Sequence, residues 1–142
     1  MSDRRYSLQE MQDRCAIEDL YDRQLAASET FDFVVYDTTF TQDAKLDLSD
    51  FGLGPCTYPE FRQWLSDLQS IIVKAQRIRG GLRMSLNGYR ATVECPVDCH
   101  VTMASAEGAQ LNHTGVLYQD VLERRPEGWR IVSRVESLAW SG

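Results

Sequence analysis

The stretch that most constrains this chain is its last quarter, GVLYQDVLERRPEGWRIVSRVESLAW over residues 115–140. Two runs of alternating apolar and polar residues, 115–124 and 129–140, flank a short connection that holds Pro126 and Gly128. Period-two alternation on both sides of a turn signal predicts a β-hairpin. The rest of the chain is then read as whatever covers this sheet.

Upstream, Ser7 and Glu10 have capping-box spacing ahead of Ile17, Leu20, Tyr21 and Leu25, whose three- and four-residue steps predict a first helix over about 8–27. Ser28, Glu29 and Thr30 interrupt it, and Phe33, Val34, Tyr36 and Phe40 suggest a short second helix within 31–40 with an aromatic face. Residues 41–57, with Asp43, Asp47, Asp50, Gly52, Gly54 and Pro55, read as loop with one short strand over 44–48. Thr57 caps a third helix with Pro59 in its first turn, and Phe61, Trp64, Leu65, Leu68 and Ile72 fall on one side. From Leu82 onward the period becomes two, and Asn87-Gly88 marks a second hairpin. In the following strand Val93, Cys95, Val97, Cys99, Val101 and Met103 form one face, and Thr92, Glu94, Pro96, Asp98, His100 and Thr102 the other.

Helices first and antiparallel strands afterwards define an α+β plan: three N-terminal helices covering one face of a curved, cone-shaped sheet that encloses a pocket. A chain of 142 residues fits one such domain, 1–142. On this reading the row of Val93, Cys95 and Val97 lies on the uncovered face, which predicts a homodimer or larger homo-oligomer through the outer sheet.

A net charge of −6 gives no general attraction for phosphate backbones, although Arg77, Arg79 and Arg83 cluster locally, so nucleic acid is not an expected partner. No apolar run reaches spanning length and the N-terminus lacks the apolar stretch of a signal peptide, so neither a membrane nor export is expected. Cys15, Cys56, Cys95 and Cys99 show no zinc or redox spacing and read as free thiols in a reducing cytoplasm. No acidic spacing around His100 or His113 suggests a metal site, and both are read as structural. Asp120 and Arg130 are read as a cross-strand ion pair.

With these elements in order, the chain resembles the SnoaL-like family of cone-shaped α+β proteins, relatives of nuclear transport factor 2, scytalone dehydratase, ketosteroid isomerase and a dehydrochlorinase of chlorinated cyclohexanes. The resemblance rests on Ala16-Ile17-Glu18-Asp19-Leu20-Tyr21, Phe40-Thr41-Gln42-Asp43-Ala44, Tyr118-Gln119-Asp120 and Gly128-Trp129-Arg130-Ile131. It implies an apolar cavity for a small hydrophobic ligand, with neither metal nor organic cofactor. Lyases of the group use an aspartate at the end of the first helix and a histidine on the strand opening the meander. The matching positions here are Glu29 and Arg77.

An arginine stays protonated at neutral pH, so Arg77 can stabilise an anion but cannot serve as base. The resemblance therefore implies Glu29 as base, Arg77 as electrostatic partner and Tyr118 as hydrogen-bond donor. Trp64, Phe33, Phe40 and Trp140 are expected in the core or the pocket wall. Glu94 joins the substrate contacts if the polar face of its strand looks into the cone, together with Asp98 and His100; otherwise all three are surface residues. The expected activity is that of a cofactor-independent lyase, isomerase or cyclase acting on a small hydrophobic carbonyl compound. The alternatives are a cone that binds without catalysis and an accessory subunit.

Overall fold

The structure, a computed structural model, describes residues 5–142. Helix α1 (Leu8–Thr30) opens with the expected capping box, Ser7 and Glu10 bonding each other's backbone N–H groups. It runs past Ala27 to Thr30, and the Ser28 hydroxyl donates back to the carbonyl of Leu25 at 2.7 Å, which satisfies that polar side chain within the helix. Phe31 ends it in the left-handed conformation, φ 56°, and its N–H bonds the Ala27 carbonyl. Helix α2 is the single turn Phe33–Tyr36, capped by Asp32; Phe40 is not part of it but begins strand β1 (Phe40–Leu48).

The loop expected over 41–57 is instead mostly ordered: β1, a 3-10 turn (Ser49–Phe51) and strand β2 (Leu53–Thr57). Helix α3 (Tyr58–Leu68) carries the Thr57–Glu60 capping box and Pro59 in its first turn. Ile72 belongs to strand β3 (Ile72–Arg79) rather than to that helix, in keeping with the β-branched run Ile71, Ile72 and Val73. Strands β4 (Arg83–Asn87), β5 (Arg90–Met103), β6 (Gln110–Arg125) and β7 (Gly128–Ser141) complete an open, curved seven-stranded sheet, in the order β2-β1-β7-β6-β5-β3 with β4 also on β5. All pairs are antiparallel except β1 with β7, which is parallel.

The Val93, Cys95 and Val97 row of β5 lies on the covered face and not on the uncovered one expected for it, and of the two directions open to the polar row it takes the outward one. Val93, Cys95, Val97 and Cys99 are buried in the core with Ile17, Leu20 and Tyr21 of α1, and Glu94, Asp98 and His100 lie on the outer face. Burying the apolar row under the helix takes it out of water within one chain, so that row does not supply an outer-face contact. Burial also pushes the Cys95 thiol up to about 12 and the Cys99 thiol up to about 11, as expected of inert core cysteines. No helix among the described residues is long and apolar enough to cross a membrane.

A bulge sets the register of the closing hairpin. Strands β6 and β7 pair Leu122 with Ile131 on the turn side and Val121 with Ser133 beyond it. The extra residue on β7 inverts its faces as far as a second register shift between Leu138 and Trp140. Arg134 and Glu136 are thereby brought inside, and Val135 is turned out to 41% exposure. Asp120 consequently pairs with Arg134 and not with Arg130, which lies opposite Glu123.

Candidate active site

A cavity of about 60 Å3 lies between the helices and the inner face of the sheet. The end of α1 contributes Ala27 and Ser28, followed by Phe31; α2 contributes Phe33 and Tyr36; α3 contributes Phe61 and Leu65. The sheet contributes three polar side chains, Arg77 from β3, Tyr118 from β6 and Glu136 from β7. Tyr118 and Glu136 are direct cross-strand partners, and Arg77 stands opposite Cys99 two strands from Tyr118.

Beneath the cavity lies a buried charged network. Arg134 donates from Nε and Nη2 to the two oxygens of Asp120, each at 2.9 Å, and both side chains are fully buried. Tyr21 of α1 donates its hydroxyl to the same carboxylate. The Arg134 guanidinium lies 4.0 Å over the ring of Tyr118, and its Nη1 stands 3.8 Å from a Glu136 oxygen. Burial works against the charge of Arg134, but Asp120 more than offsets this and holds it well above the usual arginine range.

Glu136 is affected most consequentially. Desolvation raises its carboxyl, the attraction of Arg134 and Arg77 opposes that, and the repulsion of Asp120 adds to it, leaving the group pushed up to about 7. Burial also drives the Tyr118 phenol well above its ordinary value, and the negative charge of Glu136 adds to the shift, so Tyr118 keeps its proton at neutral pH. Burial opposes the Arg77 charge too, but Tyr118, Cys99, Tyr36 and Glu136 outweigh it, and Arg77 remains a cation.

The residues singled out from the sequence separate into two groups. Arg77, Tyr118 and Phe33 meet at the cavity. Glu29 does come to Arg77, but its carboxylate accepts the backbone N–H of Arg77 at 2.7 Å, while the guanidinium reaches Ser28 at 3.3 Å. Glu29 thus ties the end of α1 to β3. Phe40 is buried in an aromatic cluster, 4.7 Å from Tyr58 and 6.2 Å from Phe61, and Trp64 stacks behind Phe61 at 6.1 Å. Glu94 is on the outer face with Arg83 at 3.6 Å, away from the cavity. Sequence reasoning missed Glu136. Its two-residue spacing from Arg134 was visible, but which face the two share depends on the bulge.

Among solved structures, the fold matches a Kribbella flavida protein with a TM-score of 0.84, at 18% identity over 93% of this chain and 94% of that one. A hexachlorocyclohexane dehydrochlorinase matches at 0.82, with 21% identity over 95% and 90% of the two chains. A provisionally assigned scytalone dehydratase from Novosphingobium aromaticivorans also matches at 0.82, with 10% identity over 93% and 87%. The fold class is therefore the α+β cone of nuclear transport factor 2-like proteins. More particularly, the model of the SnoaL-like domain matches residues 9–135, and the chain belongs to that family. Uncharacterized proteins of Mycobacterium tuberculosis and Mycobacterium bovis are 31% identical over 132 residues, covering 92% of this chain and 88% of theirs.

Proposed function

We propose that this protein is a cofactor-independent lyase or isomerase that removes a proton from a small hydrophobic substrate, with Glu136 as the base. The observation that carries this reading is the carboxyl of Glu136, pushed up to about 7 by burial in an aromatic-walled cavity. An ordinary surface carboxylate is too weak a base for this work, and one with its pKa near neutrality is close to the optimum for general base catalysis. Tyr118, protonated and directly opposite, is the donor for an oxygen that gains negative charge as the C–H bond breaks. Arg77, a cation on the same cavity, stabilises that developing anion or a departing one.

The cavity walls, Phe31, Phe33, Tyr36, Phe61 and Leu65, favour an apolar compound, and at about 60 Å3 the space admits a ring only once these side chains move apart. The fold is also that of a dehydrochlorinase, whose name describes an elimination, which supports a proton-removing reaction on this scaffold. Relative to the base implied by family resemblance, the role moves from Glu29 to Glu136, because Glu29 already holds a backbone N–H.

Proton abstraction is read directly by deuterium uptake. Incubating the protein in D2O with a panel of small cyclic ketones and chlorinated cyclohexanes, followed by NMR, should reveal a compound whose exchange or elimination the protein accelerates. Glu136→Gln should lower that rate about a hundredfold or more. A Glu136→Gln variant as fast as the parent protein rejects Glu136 as base. A panel bound by the protein with no acceleration supports a cone that binds without catalysis.

A further inference from the structure

On the outer face of the sheet, opposite the cavity, strands β5 and β6 bring together three side chains far apart in the sequence. His100 and His113 are direct cross-strand partners, and their rings stack with centroids 4.0 Å apart and planes 22° from parallel. Asp98, two residues before His100, shares its face. One oxygen of Asp98 lies 2.7 Å from Nε2 of His113 and 3.2 Å from Nε2 of His100. The candidate ligand atoms of all three residues lie within 4.8 Å of one another.

We propose that Asp98, His100 and His113 form a binding site for a divalent transition-metal ion. The donor set is two imidazole nitrogens and one carboxylate oxygen, which suits zinc, nickel or copper and not the all-oxygen preference of calcium or magnesium. With metal–nitrogen and metal–oxygen bonds of about 2.0–2.2 Å, ligand atoms on one ion stand roughly 3.3 Å apart, close to the present spacing. Small side-chain rotations therefore suffice to admit an ion where the carboxylate now accepts both rings.

Two features fit this role beyond the donors. The strands are paired throughout this stretch, so the backbone holding the two imidazoles is rigid. The ring of His113 is also braced edge-on by Trp140, 4.7 Å away at 90°, which limits its rotation as outer contacts do around bound metals. The three side chains are 32%, 37% and 44% exposed, so an ion can enter from solvent and retain water in its remaining positions.

Trp140 provides the readout. Tag-free protein should bind one equivalent of zinc by calorimetry, and copper(II) or nickel(II) should quench the fluorescence of Trp140, a signal that Trp140→Phe removes. His100→Ala and His113→Ala should each weaken zinc binding about tenfold or more, and both are surface changes that leave the fold intact by circular dichroism. Cys15→Ser, which removes the exposed thiol, should leave binding unchanged. The proposal is overturned if no binding is detected up to about 1 mM zinc, or if Cys15→Ser abolishes binding that survives both histidine substitutions.

Discussion

The guanidinium of Arg134 gives two 2.9 Å hydrogen bonds to Asp120 and stands 3.8 Å from Glu136, so its charge is committed to one carboxylate and only leans toward the other. This division leaves Glu136 without a bonded counterion on the same buried face. Asp120 has the bonded counterion, whereas desolvation dominates at Glu136 and keeps it protonated to near neutrality.

Asp120→Asn removes the counterion of a fully buried arginine while nearly preserving shape. An uncompensated buried charge should cost about 3–5 kcal/mol. Part of that loss should be recovered as Glu136 ionises in place of Asp120. Urea denaturation measures the first effect, and a fall in the Glu136 midpoint, followed by carboxyl-carbon NMR, measures the second.

Glu136 should also shape the dependence of stability on pH. Its folded pKa lies above the unfolded value, about 7 against 4.5, so the folded state holds the proton more tightly and rising pH weakens folding between those values. The contribution is complete below the unfolded pKa and lost as pH rises through the folded one. The shift corresponds to roughly 3 kcal/mol across the window. Subtracting the denaturation free energies of Glu136→Gln from those of the parent at each pH isolates this slope, and a flat difference from pH 4 to 8 would contradict the assignment. Any deuterium exchange should run the opposite way, rising with pH to a plateau above about 7 as the base ionises.

Glu29 should matter for stability and not for proton transfer. Its carboxylate accepts the Arg77 N–H at 2.7 Å, an ionic acceptor for an edge-strand donor. Glu29→Ala should cost about 1–2 kcal/mol, and Glu29→Gln, which retains an acceptor oxygen, less. Thermal melting orders the two variants, and exchange by Glu29→Gln should stay within a few fold of the parent.

Asp13 pins the start of α1 to the closing hairpin, accepting from Trp129 Nε1 at 3.1 Å and from Arg124 at 3.0 Å. Both bonds end on a carboxylate that is buried apart from 6% of its surface. Asp13→Ala should lower stability by about 2–3 kcal/mol and alter Trp129 emission, since the indole N–H then has no partner in a buried site.

Local chemistry made much of this architecture legible in the sequence. The capping boxes at Ser7 and Thr57, the Asn87-Gly88 turn and the period-two runs of β5 to β7 each draw on neighbours within a few residues, so helices ahead of an antiparallel meander could be read from them. Arg77 and Tyr118 at the cavity were likewise reachable through family resemblance. Contacts distant in sequence were not: the parallel pairing of β1 with β7 and the meeting of His100 with His113. The approach of Glu29 to Arg77 followed from the resemblance, but not that its carboxylate would end on the backbone N–H. Most decisive was one extra residue between Ile131 and Ser133. Alternation counted from Trp129 and Ile131 turns Val135 inward and Glu136 to solvent, and it is the bulge, set by how β7 lies on β6 and β1, that reverses them. The sequence by itself determined that a sheet would form and which residues it contains, because pleat and turn are local. Which carboxylate enters the cavity was decided only by the packed sheet, because a shift of one residue exchanges the two faces of a strand.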